Sequence, residues 1–330
     1  MNKTKQKYNN PFTATLNGIR DLFKKRERVG ELQPDERLDG KRVLITGASS
    51  GLGLATAKAL AQLGAEVIMA VRSGIPEKGE EVKKASGSEN IHMLHVDLSD
   101  FGSIRKLVKE IKEKFKKIDI LICNAAVVSK KARMAKSGFE EMFSVNYLAK
   151  FILVNLILKE DLFIKDRKSL PRIIFVSSES HRNPEKFEWE DFGKFREYGM
   201  GKSVERYGYY KLLMTTFARE LSRRLNPDGH PEFSVFALCP GPVNSNIARE
   251  TPAVFQPLLK LVFKLFFRSP ERACEPVVYL AASKDVEGKP NDYLFLMSRK
   301  PVDEKAGNPE NGKKLWMKTT QLLTRLNNIE

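Results

Sequence analysis

Cysteine is scarce in this chain of 330 residues. Cys123, Cys239 and Cys274 are too few and too scattered for a disulfide framework, and none has metal-ligand spacing. A reducing compartment is therefore expected. Histidine is scarce too: there are four, and no two form a helical metal pair, so no metal site is expected. No apolar run reaches the roughly 18 residues of a membrane-crossing helix. The first 20 residues are polar and lysine-rich, without the apolar stretch of a secretory signal. An intracellular protein is expected, either cytoplasmic or attached peripherally to an intracellular membrane.

Basic charge is plentiful. Lysine and arginine number 57 against 41 acidic residues, a net charge of +16. Such an excess attracts nucleic acid, acidic lipid or phosphorylated cofactors. The basic residues spread over helical stretches such as Lys106–Lys117, without the interleaved aromatics of a nucleic-acid platform. They read as solvated helix faces, and no nucleic-acid partner is expected. Hydrophobic residues make up 42% and charged residues 30%, ordinary for a globular chain able to bury a large core.

Residues 1–39 read as a polar extension and linker, with one short helix over Thr13–Phe23. From residue 40 to 300, short apolar runs alternate with amphipathic stretches. The runs are Val43–Thr46, Glu66–Val71, Ile91–His95, Ile118–Cys123, Arg172–Val176, Phe233–Leu238 and Tyr293–Met297. Near-continuous apolar strands suit a parallel sheet buried on both faces. Between them, Leu54, Ala57, Leu60 and Ala61 form one helical face, and Ile104, Leu107, Val108 and Ile111 another. The pattern predicts an α/β fold: a Rossmann-type doubly wound parallel sheet of about seven strands in a single domain. Residues 301–330 read as a polar tail with a short final helix around Leu315–Leu326.

Thr46-Gly47-Ala48-Ser49-Ser50-Gly51-Leu52-Gly53 joins the first strand to the first helix. Gly47 suits a tight turn, Gly51 a close approach to pyrophosphate and Gly53 close helix–strand packing, with helix amides holding the phosphate. Placement between strand and helix makes this a dinucleotide site. The second strand ends at Arg72, where an NAD-selective site usually carries an acid. A positive charge there suits a 2′-phosphate, so NADP(H) is favoured over NAD(H). Asp97, followed by Leu98, ends the third strand. It can accept from the adenine amino group, or serve as a turn or capping residue.

These residues resemble the short-chain dehydrogenase/reductase family over roughly 40–300. The glycine turn matches its Thr-Gly-x-x-x-Gly-x-Gly pattern. Asn124-Ala125-Ala126 is similar to its Asn-Ala-Gly segment, with alanine for glycine. Asn146, Ser178, Tyr207 and Lys211 match its four catalytic positions in order. Pro240-Gly241-Pro242-Val243-Asn244-Ser245 is similar to its Pro-Gly-x-Val-x-Thr stretch, with Ser245 for threonine. The cofactor contacts implied are Thr46, Gly47, Ser49, Ser50, Gly51, Leu52, Gly53, Arg72, Asp97, Leu98, Asn124, Ala125, Tyr207, Lys211, Pro240, Gly241, Val243 and Ser245.

Tyr207 and Lys211 stand four apart at the start of an amphipathic stretch, Tyr207–Leu225, and share a helix face. A neighbouring ammonium and an oxidised nicotinamide ring both favour phenolate, bringing Tyr207 toward its working pH as general acid/base. Lys211 can also donate to the nicotinamide ribose. Ser178 can hold the substrate carbonyl oxygen. Asn146, if buried, can fix a water linking Lys211 to solvent, or it can simply cap or pack. Ser177 and Ser178 face opposite ways on a strand, and the family pattern selects Ser178. Tyr198 and Lys202 repeat the Tyr-x-x-x-Lys spacing, but Gly199 and Gly201 disfavour a helix there.

The 29-residue interval from Ser178 to Tyr207 holds Phe187, Trp189 and Phe192. Trp189 and Phe192 can wall a substrate pocket or pack an excursion loop. The long insert and Ser177–Arg182 are similar to the retinol dehydrogenase-like branch. That branch often carries an apolar N-terminal anchor, whereas the extension here is polar. Residues 252–268 place Leu258, Leu261, Val262, Leu265 and Phe266 on one apolar face beside Lys260, Lys264 and Arg268. That stretch can lie on a membrane surface, cover the site, or meet a second copy as a homodimer contact. An apolar cover favours a lipophilic substrate. The expectation is an NADP(H)-dependent oxidoreductase of lipophilic alcohols and carbonyls. The alternative is a catalytically silent NADP(H)-binding or docking protein on the same fold.

Overall fold

The computed structural model describes residues 27–165, 169–227, 230–243 and 268–327. The helix expected over Thr13–Phe23, Ser245 and residues 252–267 lie outside the described residues.

The strands are β1 (Arg42–Thr46), β2 (Glu66–Val71), β3 (Ile91–His95), β4 (Ile120–Cys123), β5 (Arg172–Val176), β6 (Ser234–Cys239), β7 (Asn291–Phe295) and β8 (Ser298–Arg299). They form one sheet in the order β3-β2-β1-β4-β5-β6-β7-β8. All pairs are parallel except β7–β8, where Leu294 faces Arg299 and Phe295 faces Ser298. The sheet thus has one strand more than the seven expected. Two residues make too short a run to show an apolar pattern, and β8 exists only because the chain doubles back on β7.

The larger helices are α1 (Gly51–Gln62), α2 (Glu77–Ser86), α3 (Phe101–Lys114), α4 (Glu141–Lys159), α5 (Met200–Leu225), α6 (Glu275–Ala282) and α7 (Pro309–Asn327). Strand side chains alternate between two cores. Leu44 joins Leu107, Val154, Leu213 and Phe217 of α3, α4 and α5. Val43 and Ile45 join Leu60, Val277 and Leu280 of α1 and α6. With both faces covered, each buried Val, Leu or Ile contributes roughly 1.5–3 kcal/mol, and a polar strand residue would have no water to face.

Helix α4 is long and apolar enough to cross a membrane by length and composition, but most of it is buried inside the fold. It includes a π turn over Ser144–Leu148 and the buried side chains of Asn146 and Lys150.

Two segments that read as polar appendages dock on the core. Val29 N–H donates to the Met297 carbonyl at 2.7 Å, and the buried Glu36 accepts from Ser283 Oγ at 2.9 Å. Helix α7 buries Leu315 and Thr319, and its Trp316 ring lies 5.1 Å from Phe151 and 5.8 Å from Phe217. Each such ring pair adds about 0.5–1.5 kcal/mol beyond its buried area. One apolar stripe in a polar helix suffices for this.

From β1 the chain winds toward β3 on one side and from β4 toward β7 on the other. In open α/β sheets the crevice at such a reversal, outside the carboxyl ends of the strands, is where ligands bind. The glycine turn, Arg72, Asp97, Asn124, Ser178 and Pro240 follow the carboxyl ends of β1 to β6 in turn.

Candidate active site

The glycine turn is shaped by close approach. Gly47 adopts φ +70°, and a side chain there would meet Ala125 Cα at 2.8 Å. A Cβ on Gly53 would sit 2.3 Å from the Gly47 carbonyl oxygen and 2.5 Å from Asn124 Nδ2. Helix α1 starts at Gly51 with no side-chain cap and no acid in its first turn. Its leading amides are open to an anion, as a pyrophosphate requires. The cradle fits a nicotinamide dinucleotide.

The remaining cofactor positions divide by what their side chains do. Asn124 Nδ2 donates to the carbonyls of Thr46 and Gly47 at 3.0 and 3.1 Å, and Thr46 Oγ1 accepts from the amides of Asn124 and Ala125. These two side chains clamp the ends of β1 and β4. Leu98 points into the core, as does Leu52. Asp97 accepts from the amide and hydroxyl of Ser99 at 3.0 and 2.7 Å, a turn-forming arrangement. Burial pushes the Asp97 carboxyl up, but Ser99, Arg72 and Lys136 outweigh it and hold the group below the usual range. Arg72 is exposed, as are Ser50 and the approach to the turn. Pro240 is buried, Gly241 adopts φ +80°, and Val243 bridges to Arg268. Residues 243 and 268 are thereby held side by side.

Tyr207, Lys211 and Ser178 come together beside this cradle. Lys211 is 1% exposed, donates to the Val176 carbonyl at 2.7 Å, and sits 5.5 Å from the centre of the Tyr207 ring. Ser178 Oγ accepts from the amide and hydroxyl of Ser180 at 3.2 and 2.9 Å. Both lone pairs being engaged, its own proton is directed outward, and Ser178 is the neighbour that favours the Tyr207 phenolate. Ser177 turns the other way, 2.7 Å from Thr215 Oγ1 in the core. Asn146 is fully buried, and its amide closes a double hydrogen bond with the backbone N–H and carbonyl of Val127, each at 2.8 Å.

Electrostatics depart from expectation. Burial pushes the Tyr207 phenol well above its ordinary value; Cys239 adds to this and only Ser178 opposes it. The Lys211 ammonium is disfavoured as well. Burial and then Lys150 bring Lys211 down to about 7. A low-dielectric pocket penalises both charged forms.

The second Tyr-x-x-x-Lys pair is separated. Tyr198 is buried and non-helical, with its hydroxyl donating to Glu140 Oε1 at 2.6 Å, while Lys202 is exposed. Helix α5 nevertheless begins at Met200, seven residues before the Tyr207 start expected from the glycines. Gly199 caps it in an extended conformation, and Gly201 falls in the first turn, where Ser203 anchors the helix through Ser129. Trp189 stacks on Phe187 at 4.4 Å, and Phe192 packs edge-on against Phe143 at 5.5 Å. Both are packing residues of the insert.

Two residues near the site were not singled out by the sequence. His181 is fully buried; Nδ1 lies 2.7 Å from the Ser178 carbonyl and Nε2 accepts from Asp303 N–H at 3.2 Å. That pair of partners assigns the neutral Nδ1–H tautomer, and burial brings its pKa down to about 4. Lys150 is buried one turn after Asn146. Its signal was present: it is the one charged residue within Ala149–Leu158.

Gly208 lets helix α5 lie close against the backbone that follows Ser178. A Cβ there would lie 2.8 Å from the Ser180 carbonyl oxygen, which is backbone and cannot step aside. Gly208→Val should lower kcat about 100-fold, the scale of an ångström's misplacement, while nucleotide affinity stays near wild type. Steady-state rates with a nucleotide titration measure both.

Residues 41–188 match the family model for short chain dehydrogenases. Retinol dehydrogenase 14 of Mus musculus is 33% identical over 293 residues, covering 84% of each chain. Retinol dehydrogenase 13 of Homo sapiens is 32% identical over 320 residues, 94% of this chain and 92% of that one. The crystal structure of an uncharacterised protein from Mycobacterium Paratuberculosis matches with TM-score 0.67 and 27% identity, over 90% of this chain and 97% of the other. The chain belongs to the short-chain dehydrogenase/reductase family, in its retinol dehydrogenase-like branch, and is an oxidoreductase of alcohols or carbonyls that binds a nicotinamide dinucleotide.

Proposed function

We propose that the protein interconverts a lipophilic alcohol and its aldehyde or ketone with NADP(H), through Tyr207, Lys211, Ser178 and Asn146. The observation that carries this reading is the Ser178 hydroxyl, which accepts twice from Ser180 and so keeps its own proton for an oxygen outside that loop. In the reductive direction Ser178 donates to the carbonyl oxygen and draws electron density from its carbon. The bound nicotinamide supplies hydride. Tyr207 passes its phenolic proton to the same oxygen as negative charge builds there. Lys211, 5.5 Å from the Tyr207 ring, favours the resulting phenolate when it carries its proton and is the next donor in line. Asn146 supports the proton supply by fixing the Val127 backbone along one wall.

Arg72 supports the phosphorylated cofactor: it is exposed at the end of β2, next to the nucleotide cradle. The many apolar residues of the 252–268 sequence support a lipophilic substrate, as do two relatives named for retinol. A panel of retinal, medium-chain aldehydes, steroid ketones and glyceraldehyde, each with NADPH and NADH, tests the reading. NADPH oxidation with the apolar carbonyls and little with glyceraldehyde is expected. Tight nucleotide binding without turnover on any of them would favour a silent binding protein.

A further inference from the structure

Lys150 is 2% exposed and is the one charged residue between Ala149 and Leu158 of this helix. Its Nζ donates to the Ala125 carbonyl at 2.8 Å and to the Val145 carbonyl at 2.9 Å. The second acceptor exists because of the π turn. In a regular helix the Val145 carbonyl would accept from Ala149 N–H; here that N–H is given to Ser144, one residue further back. The first acceptor belongs to the turn after β4, whose amide is already tied to Thr46. Lys150 thus bridges the nucleotide cradle and the helical turn that carries Asn146. Among the described residues it has no acidic partner, and neither has Lys211. Burying a charge without a counter-ion is expensive, and an uncharged residue of this length would fill the space at less cost.

We propose that Lys150 is a positioning residue of the active site, which holds the Ala125 turn against the π turn and acts on Lys211 through its charge. The proposal rests on the reading of Tyr207 and Lys211 as the reacting pair. The ionisable groups around them are few. Lys150 Nζ sits on the Ala125 carbonyl just past β4 and Lys211 Nζ on the Val176 carbonyl at the end of β5, two strands paired with Cys123 opposite Phe175, so the two ammonium groups lie at neighbouring strand ends. Cys123, Cys239 and Tyr207 are the other ionisable groups that act on them. Burial brings Lys150 down to about 8 and Lys211 to about 7. Like charges in one low-dielectric pocket each make the other easier to deprotonate. Removing the Lys150 charge should therefore let Lys211 keep its proton to higher pH.

The test needs no turnover. The Lys211 Cε resonance is followed against pH in full-length protein labelled at lysine, and is assigned by its loss in Lys211→Arg. Lys150→Met should move the Lys211 midpoint upward by about one pH unit, the scale of two like charges on neighbouring strand ends at an effective dielectric of about 20. Lys150→Gln, which keeps a donor, should shift it the same way, and Lys150→Arg should leave it near wild type. In a turnover assay the alkaline limb of the kcat profile should move with the NMR midpoint. A folded Lys150→Met or Lys150→Gln protein with an unmoved Lys211 midpoint overturns the proposal, as does an equal shift in Lys150→Arg. If the midpoint moves while Tyr207→Phe keeps full activity, the reaction assignment fails and the electrostatic coupling stands.

Discussion

Tyr207→Phe should lower carbonyl reduction about 1000-fold, within the range for losing a positioned general acid. Phenylalanine keeps the ring that lies 5.5 Å from Lys211 Nζ, so the packing survives and the hydroxyl alone is lost. The residual rate would come from Ser178 and from nucleotide positioning, which are left in place. Because the phenol is pushed up by burial, it is a reluctant acid in the free protein. Its proton becomes transferable only as negative charge appears on the substrate oxygen and positive charge stands nearby. Steady-state rates, with nucleotide affinity as the control for folding, measure the effect. A mutant within about threefold of wild type would remove Tyr207 from proton transfer, since even modest general acid catalysis is worth 100-fold. Tyr198→Phe is the matched comparison. Its hydroxyl serves the buried Glu140, so that change should cost about 1–3 kcal/mol of stability and leave kcat in place.

Arg72→Asp should weaken NADPH about 100-fold and NADH only a few-fold. A hydrogen bond to a charged group is worth roughly 1.5–3 kcal/mol, and replacing attraction by repulsion enlarges the loss. The new carboxylate would also stand near Asp97, whose charge Arg72 now steadies. Fluorescence titrations of both nucleotides at one fixed salt concentration are needed, because exposed charges are screened within about 10 Å at 0.1 M. An unchanged NADPH:NADH ratio would take Arg72 out of cofactor choice.

Much of this was legible in the sequence because local rules and tertiary demands coincide. A strand covered on both faces must be apolar throughout, so the seven expected runs are strands, with ends shifted by at most two residues. A turn that brings Gly53 within reach of the Gly47 carbonyl excludes side chains, so its glycines are visible as letters. A four-residue helical spacing puts Tyr207 and Lys211 on one face wherever the helix begins.

Other features depend on what lies opposite in space. Which of Ser177 and Ser178 stays outside the core is set by Thr215 on α5, which takes Ser177 inward. Tyr198 is withdrawn from the site by Glu140, 58 positions away in the chain. Trp189 and Phe192 become packing residues because Phe187 and Phe143 are there to receive them. The C-terminal stretch is docked because Phe151 and Phe217 wait under Trp316. By itself the sequence determined the sheet, the nucleotide turn and the Tyr207–Lys211 spacing, since each follows from a periodicity of the backbone. Only the tertiary structure decided the charges: burial depends on every neighbour at once, and it raised the Tyr207 phenol, depressed Lys211 and placed Lys150 beside them.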